Sequence, residues 1–259
     1  MEHDIKAAKG EGDEPKKPIK IEKIDFLNEH KVSYAMRESL RALRTNLQFC
    51  GDDVKVILFT SCAPNEGKST VAYDLAKSIN ESGKSVMLID ADMRKSVLIG
   101  RLRAKTRSGE PIYGLSHFLS GQKKLSEVIY RTPYRKFYMI FAGPSVPNPT
   151  EILDKKYFGD LVEFAKSRVD YVLIDCAPLG AAIDSAVIAR HCDGAVIVVA
   201  QGKISCRAIA DAKRQLEASG VRILGAVLNK VKEKHRRYKK YYGNYYGDYY
   251  NNEDGKKKK

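Results

Sequence analysis

Three segments carry the residue types that phosphoryl chemistry needs. Ser61-Cys62-Ala63-Pro64-Asn65-Glu66-Gly67-Lys68-Ser69-Thr70 follows an apolar run and opens a helical one. In that setting backbone N–H groups and a helix N-terminus cradle phosphates, as in a Walker A loop. Lys68 then reaches the β and γ phosphates, Ser69 holds Mg²⁺ through its hydroxyl and Thr70 lies beside the α-phosphate. Cys62 stands where the usual pattern has its first glycine, and Asn65 tolerates left-handed backbone, so the loop can still close. The segment VMLIDADMR, Val86 to Arg94, is an apolar strand ending in Asp90 and Asp92. Their two-residue spacing points both carboxylates the same way, suited to placing a metal or a hydroxyl beside phosphates; the bland alternative is a solvated turn. YVLIDCAP, Tyr171 to Pro178, repeats the design, with Asp175 placed as a Walker B acid is for Mg²⁺.

A possible substrate lies in the same chain. Tyr238 and the doublets Tyr241-Tyr242, Tyr245-Tyr246 and Tyr249-Tyr250 alternate with Gly, Asn, Asp and Lys near the C-terminus. Those spacers break helices and strands alike, so the rings read as exposed phenols rather than as core aromatics. The formal charge of +14 invites a nucleic-acid reading, but residues 230–259 hold eleven Lys or Arg against four Asp or Glu, net +7, so half of the excess sits in this tail. A nucleic-acid partner is therefore disfavoured. Tyr-Lys interleaving that stacks on bases is kept as a minor rival.

The elements that must position these groups follow from pattern. β-Branched runs at 54–60, 85–90, 137–141, 171–175, 195–200 and 222–228 alternate with helical stretches at 69–81, 149–167, 183–191 and 206–219. Apolar strands joined by helical crossovers predict a three-layer α/β domain with a mostly parallel sheet covered on both faces, and ligands at the carboxyl ends of the strands. Residues 33–49 read as an amphipathic helix with a serine cap. The expected organisation is a flexible leader over 1–31, a P-loop domain over 32–230 and a flexible Tyr/Lys-rich tail over 231–259. Five cysteines with no C-x-x-C pair suggest reduced thiols and a cytoplasmic setting. No run of about 18 apolar residues is present, and the N-terminus is too charged for a signal peptide. His117 and His191 lack metal-ligand spacing and read as structural.

Together, the P-loop, LIDADMR and LIDCAP resemble the bacterial tyrosine kinases, P-loop enzymes that autophosphorylate a C-terminal tyrosine cluster and govern capsule or exopolysaccharide synthesis. The resemblance extends over roughly residues 33–250. It includes Gly114-Leu115-Ser116, Ala142-Gly143-Pro144 through Pro149 to Leu153, Asp184-Ser185-Ala186, Asp193-Gly194 and Gly225 to Asn229. It implies ATP and Mg²⁺ as cofactors, with Ala63, Pro64, Asn65, Glu66, Gly67, Lys68, Ser69, Thr70 and Asn229 at the nucleotide and Ser69, Asp90 and Asp175 at the metal. Asp90 would be nearest the attacking phenol, helped by Asp92; whether it acts as base or as metal ligand is left open. Tyr238, Tyr241, Tyr242, Tyr245, Tyr246, Tyr249 and Tyr250 become the phosphoacceptors.

In this family Glu38, Arg41 and Arg44, an E-x-x-R-x-x-R on the first helix, lie between subunits of a homo-oligomeric ring; spacing alone gives only a local i,i+3 pair. The resemblance further implies a separate transmembrane adaptor that recruits the chain to the inner face of the membrane. Lys95-Ser96-Val97 departs from the family, which often has a proline there. Arg101, Arg103, Lys105 and Arg107 are either a docking patch or a solvated face. The partitioning and division-site ATPases share the fold but carry a second loop lysine where Ala63 stands, and lack such a tail; an ATPase switch without kinase activity is the alternative.

Overall fold

A computed structural model describes residues 21–231. The tyrosines from 238 onward therefore lie outside the described residues. In chain order the elements are β1 (Glu22–Phe26), α1 (Tyr34–Gln48), β2 (Val56–Ser61), α2 (Lys68–Glu81), β3 (Val86–Asp90), α3 (Leu98–Leu102), β4 (Ala104–Thr106), α4 (Leu115–Leu119), α5 (Leu125–Val128), β5 (Ile129–Arg131), β6 (Phe137–Ile140), α6 (Pro149–Leu153), α7 (Lys156–Lys166), β7 (Tyr171–Asp175), α8 (Asp184–Ala189), β8 (Gly194–Ala200), α9 (Cys206–Ala218) and β9 (Ile223–Asn229).

The strands form one sheet in the order β4-β1-β5-β6-β3-β7-β2-β8-β9. From β6 to β9 every pairing is parallel; β5 runs antiparallel to β6, and β4 antiparallel to β1. Alternation along the strands sends side chains into two separate cores. Val56, Leu58, Met87, Ile89, Val172 and Ile174 pack on one face with residues of α4, α7, α8 and α9. Ile57, Phe59, Val86, Leu88, Leu173 and Val198 pack on the other with α1, α2 and α3. This is the expected three-layer α/β architecture, and it needs strands with no polar face, because both faces are covered.

Two boundaries differ from expectation. The leader expected through residue 31 includes β1, where Ile24 is fully buried and Asp25 is gripped by Arg107 at 2.8 Å; one inward apolar residue suffices because β4 and β5 supply the neighbours on either side. The single helix expected over 149–167 is two: Lys155 has extended backbone (φ −70°, ψ 149°), so α6 ends before it and α7 begins after it.

Candidate active site

The loop from β2 to α2 places its backbone by two left-handed residues, Asn65 (φ 64°) and Gly67 (φ 93°). Gly67 also has no room for a side chain, since an added Cβ would lie 2.2 Å from the Asn229 amide nitrogen. Cys62 does not have positive φ, so the missing first glycine costs the loop no strain at that residue.

β3 and β7 are adjacent and in register, with Asp90 opposite Asp175, so their carboxyls finish side by side at the sheet's carboxyl end. Lys68, buried at the start of α2, reaches across to Asp175 and to Asp92 just past β3. Its Nζ lies 2.8 Å from Asp92 Oδ2 and 3.4 Å from Asp175 Oδ1, and donates to Ser69 Oγ at 3.4 Å. Burial lowers the lysine pKa, but Asp175 and Asp92 outweigh that and hold it above the ordinary range, fully charged.

The two acids of the DAD segment part company. The strand ends at Asp90, so the two-residue period no longer governs Asp92, which turns to Lys68. Asp90 stays fully buried, accepts the Asp92 N–H at 3.2 Å and takes a hydrogen bond from the Ser96 hydroxyl at 2.5 Å. Burial, reinforced by the neighbouring Asp175, pushes the Asp90 carboxyl up to about 8. Burial raises Asp175 as well, against the pull of Lys68. Asp92 and Asp175 thus share one ammonium, with the Asp90 carboxyl buried beside them, a deficit of positive charge. Hard oxygen donors (Ser69 Oγ, Asp175 and Asp90) with such a deficit fit Mg²⁺, which is held by one or two carboxylates plus substrate phosphates. No closed cage of three or more His, Cys, Asp or Glu exists among the described residues, and Mg²⁺ bound in that way needs none.

The remaining expected residues fall as follows. Ala63 donates its N–H to Glu66 Oε2 at 2.7 Å, so the Glu66 carboxylate turns back onto the loop's own backbone. Pro64 is an exposed turn residue, and Asn229 donates to the Glu66 carbonyl at 2.9 Å. Thr70 accepts a hydrogen bond from Arg101, so the basic cluster disperses: Arg101 serves α2 while Arg107 pairs with Asp25. On α1, Glu38 and Arg41 pair at 2.7 Å, whereas Arg44 donates to the Ser78 carbonyl of α2 at 2.6 Å. His117 accepts the Gly114 N–H at 3.1 Å, and His191 lies edge-on to Phe158.

Two partnerships escaped sequence reasoning. Ser96, in the segment that departs from the family pattern, supplies the hydroxyl on Asp90. Arg94 grips the fully buried Asp184 through Nε at 2.7 Å and Nη2 at 3.0 Å, and Thr150 donates to the same carboxylate at 2.5 Å. That knot ties the loop after β3 to α6 and α8. Asp-x-Asp-x-Arg was visible, but nothing in the sequence paired the arginine with an acid 90 residues away.

Known proteins resemble this chain in sequence and fold. Residues 54–218 match the family described as AAA domain. The chain is 40% identical over 201 residues to the tyrosine-protein kinase CpsD of Streptococcus agalactiae, covering 78% of this chain and 86% of that protein. It is 37% identical over 217 residues to the CpsD of Streptococcus pneumoniae, covering 84% and 91%. Among solved structures, the kinase domain of the Escherichia coli tyrosine kinase ETK superposes with a TM-score of 0.71 at 32% identity, covering 77% of each chain. Shared over most of both lengths, and with the Lys68, Asp90 and Asp175 geometry in place, this similarity makes the chain a member of the bacterial tyrosine-protein kinases.

Proposed function

We propose that the chain is an ATP- and Mg²⁺-dependent protein-tyrosine autokinase acting on its own C-terminal cluster, Tyr238 to Tyr250. The observation that carries the reading is the buried Lys68 bridging Asp92 and Asp175 beside an Asp90 whose carboxyl is pushed up to about 8, in a chain that carries seven clustered tyrosines between residues 238 and 250. Phosphoryl transfer asks for positioning and charge neutralisation more than covalent chemistry. Lys68 neutralises the transferring phosphoryl group, and Ser69 with Asp175 holds the metal. When bound, Mg²⁺ would supply charge neutralisation at the phosphates, held by Ser69 and Asp175. Asp90 orients the phenol, and its deprotonated fraction, which grows as pH approaches about 8, takes the phenol proton as the tyrosine oxygen forms its bond to phosphorus and ADP departs.

Transfer between subunits of a ring is part of this proposal. Tyr250 lies 21 residues past Asn229, a reach of up to about 70 Å when extended. A concavity of about 520 Å³ lies between residues 29–32, α1 and α2, bordered by Arg37, Arg41, Lys77 and Glu81, and supports the reading that a neighbouring subunit docks on this side of α1. No helix among the described residues is long and apolar enough to cross a membrane. Recruitment to the inner face of the membrane by a separate transmembrane adaptor, in the service of capsular or exopolysaccharide synthesis, is also part of this proposal.

The test incubates the chain with Mg-ATP, with and without the cytosolic segment of a candidate adaptor, and maps phosphate by mass spectrometry. Phosphate is expected on residues 238–250 and absent in Lys68→Met. A donor whose seven tail tyrosines are Phe should still modify the Lys68→Met chain if transfer runs between subunits. No phosphotyrosine in any condition, with ATP hydrolysis intact, would return the chain to the ATPase-switch reading.

A further inference from the structure

Glu66 places a carboxyl group inside the phosphate loop. It is 2% exposed, and it stands next to the glycine and lysine of the loop. A carboxylate buried there repels a polyphosphate, so its presence calls for a compensating role.

Its contacts supply one. Oε2 accepts the Ala63 N–H at 2.7 Å and Oε1 accepts the Ala200 N–H at 2.9 Å. One side chain thereby joins the first half of the loop to the last residue of β8. The Glu66 carbonyl accepts from Asn229 at 2.9 Å, the Asn65 carbonyl from the Lys230 ammonium at 2.6 Å, and Gln201 N–H bonds back to the Asn229 carbonyl at 2.9 Å. On the opposite flank the Cys62 carbonyl accepts the Gly180 N–H at 3.1 Å, and the Ser61 hydroxyl closes onto the Ala63 carbonyl at 2.9 Å. The segment after β7 and the ends of β8 and β9 therefore hold the loop from outside, and Glu66 is the member that spans it from within. Ordinarily a first glycine lets such a loop turn; here Cys62 occupies that place, and the turn is secured by a side chain instead.

We propose that Glu66 is a positioning residue for phosphoryl transfer. Its carboxylate staples Ala63 to Ala200, so that the loop is set for phosphates before nucleotide arrives. The inference rests on reading residues 61–70 as the nucleotide loop. It predicts a sign that a simple charge effect reverses. Glu66→Gln removes a negative charge near the phosphates but offers one acceptor where two N–H groups need one. If the staple dominates, affinity for MgADP falls about tenfold, the scale of a lost hydrogen bond to a charged group; if only charge matters, affinity rises.

The experiment measures MgADP binding by isothermal titration calorimetry for the full-length wild type, Glu66→Gln and Glu66→Ala. It also measures the KM for ATP and kcat using the Lys68→Met chain as acceptor. Expected are weaker MgADP binding in both variants, a matching rise in KM, kcat within about threefold of wild type, and faster hydrogen exchange at the Ala63 and Ala200 amides in the nucleotide-free Gln variant. Unchanged or tighter MgADP binding in Glu66→Gln, or a fall in kcat at constant KM, overturns the staple. A wild-type chain that binds no MgADP overturns instead the nucleotide reading beneath it. Should Glu66→Ala fail to fold, the Gln variant and the exchange measurement still decide the matter.

Discussion

Replacing Arg94 by Ala leaves the fully buried Asp184 carboxylate with the Thr150 hydroxyl at 2.5 Å as its remaining side-chain partner. Breaking a buried ion pair from one side costs about 3–5 kcal/mol, because the charge left behind stays desolvated. The Arg94 side chain is 41% exposed, so water enters once the guanidinium is gone and the cost drops to about 1.5–3 kcal/mol. For a domain of this size that corresponds to a fall in Tm of about 3–12 °C. The assay is urea unfolding followed by far-UV circular dichroism, on wild type, Arg94→Ala, Asp184→Asn and the double variant. Asparagine keeps an acceptor for Thr150 and carries no charge, so the double variant should be more stable than Arg94→Ala alone, with a coupling of at least about 1 kcal/mol. An Arg94→Ala cost below about 0.5 kcal/mol, or no recovery in the double variant, would refute the claim that this pair anchors the loop after β3 to α6 and α8.

Two further outcomes follow from the site. Gly67→Ala meets both a left-handed backbone (φ 93°) and the Asn229 amide 2.2 Å from the new Cβ, so it should weaken MgADP binding at least tenfold and lower tail phosphorylation, read by calorimetry and anti-phosphotyrosine blotting. Asp90 holds a proton in the folded chain up to about pH 8 that the unfolded chain releases near its ordinary value of 3.8. Folding stability without nucleotide should therefore fall as pH rises between those limits, by up to about 1.4 kcal/mol per pH unit. Asp90→Asn should show a shallower slope in urea titrations from pH 5 to 8, and equal slopes would contradict the assignment.

Much of the site was legible because its parts are local. Ser61 to Thr70, Val86 to Asp90 and Tyr171 to Asp175 are each a short apolar strand ending in a functional group, and a parallel sheet brings strand ends to one edge whatever the loops between them do. What local pattern left unresolved was pairing. The i,i+3 contact of Glu38 with Arg41 could be read directly, yet Arg44, three residues further, belongs to Ser78 of α2 rather than to its own helix. β1 escaped notice for the same reason: a charged pentapeptide becomes a strand because β4 and β5 lie on either side of it.

The amino-acid sequence alone determined the fold class, the phosphate loop, the acids at the strand ends and the tyrosines, since periodicity, glycine placement and residue chemistry act over a few neighbours. Only the tertiary structure decided which acid takes Lys68, why Asp90 keeps a proton, where Arg94 is tied and which way Glu66 faces. Those outcomes depend on burial and on partners tens to more than a hundred residues apart. Desolvation and Coulombic coupling exist only once the sheet has placed the charges together.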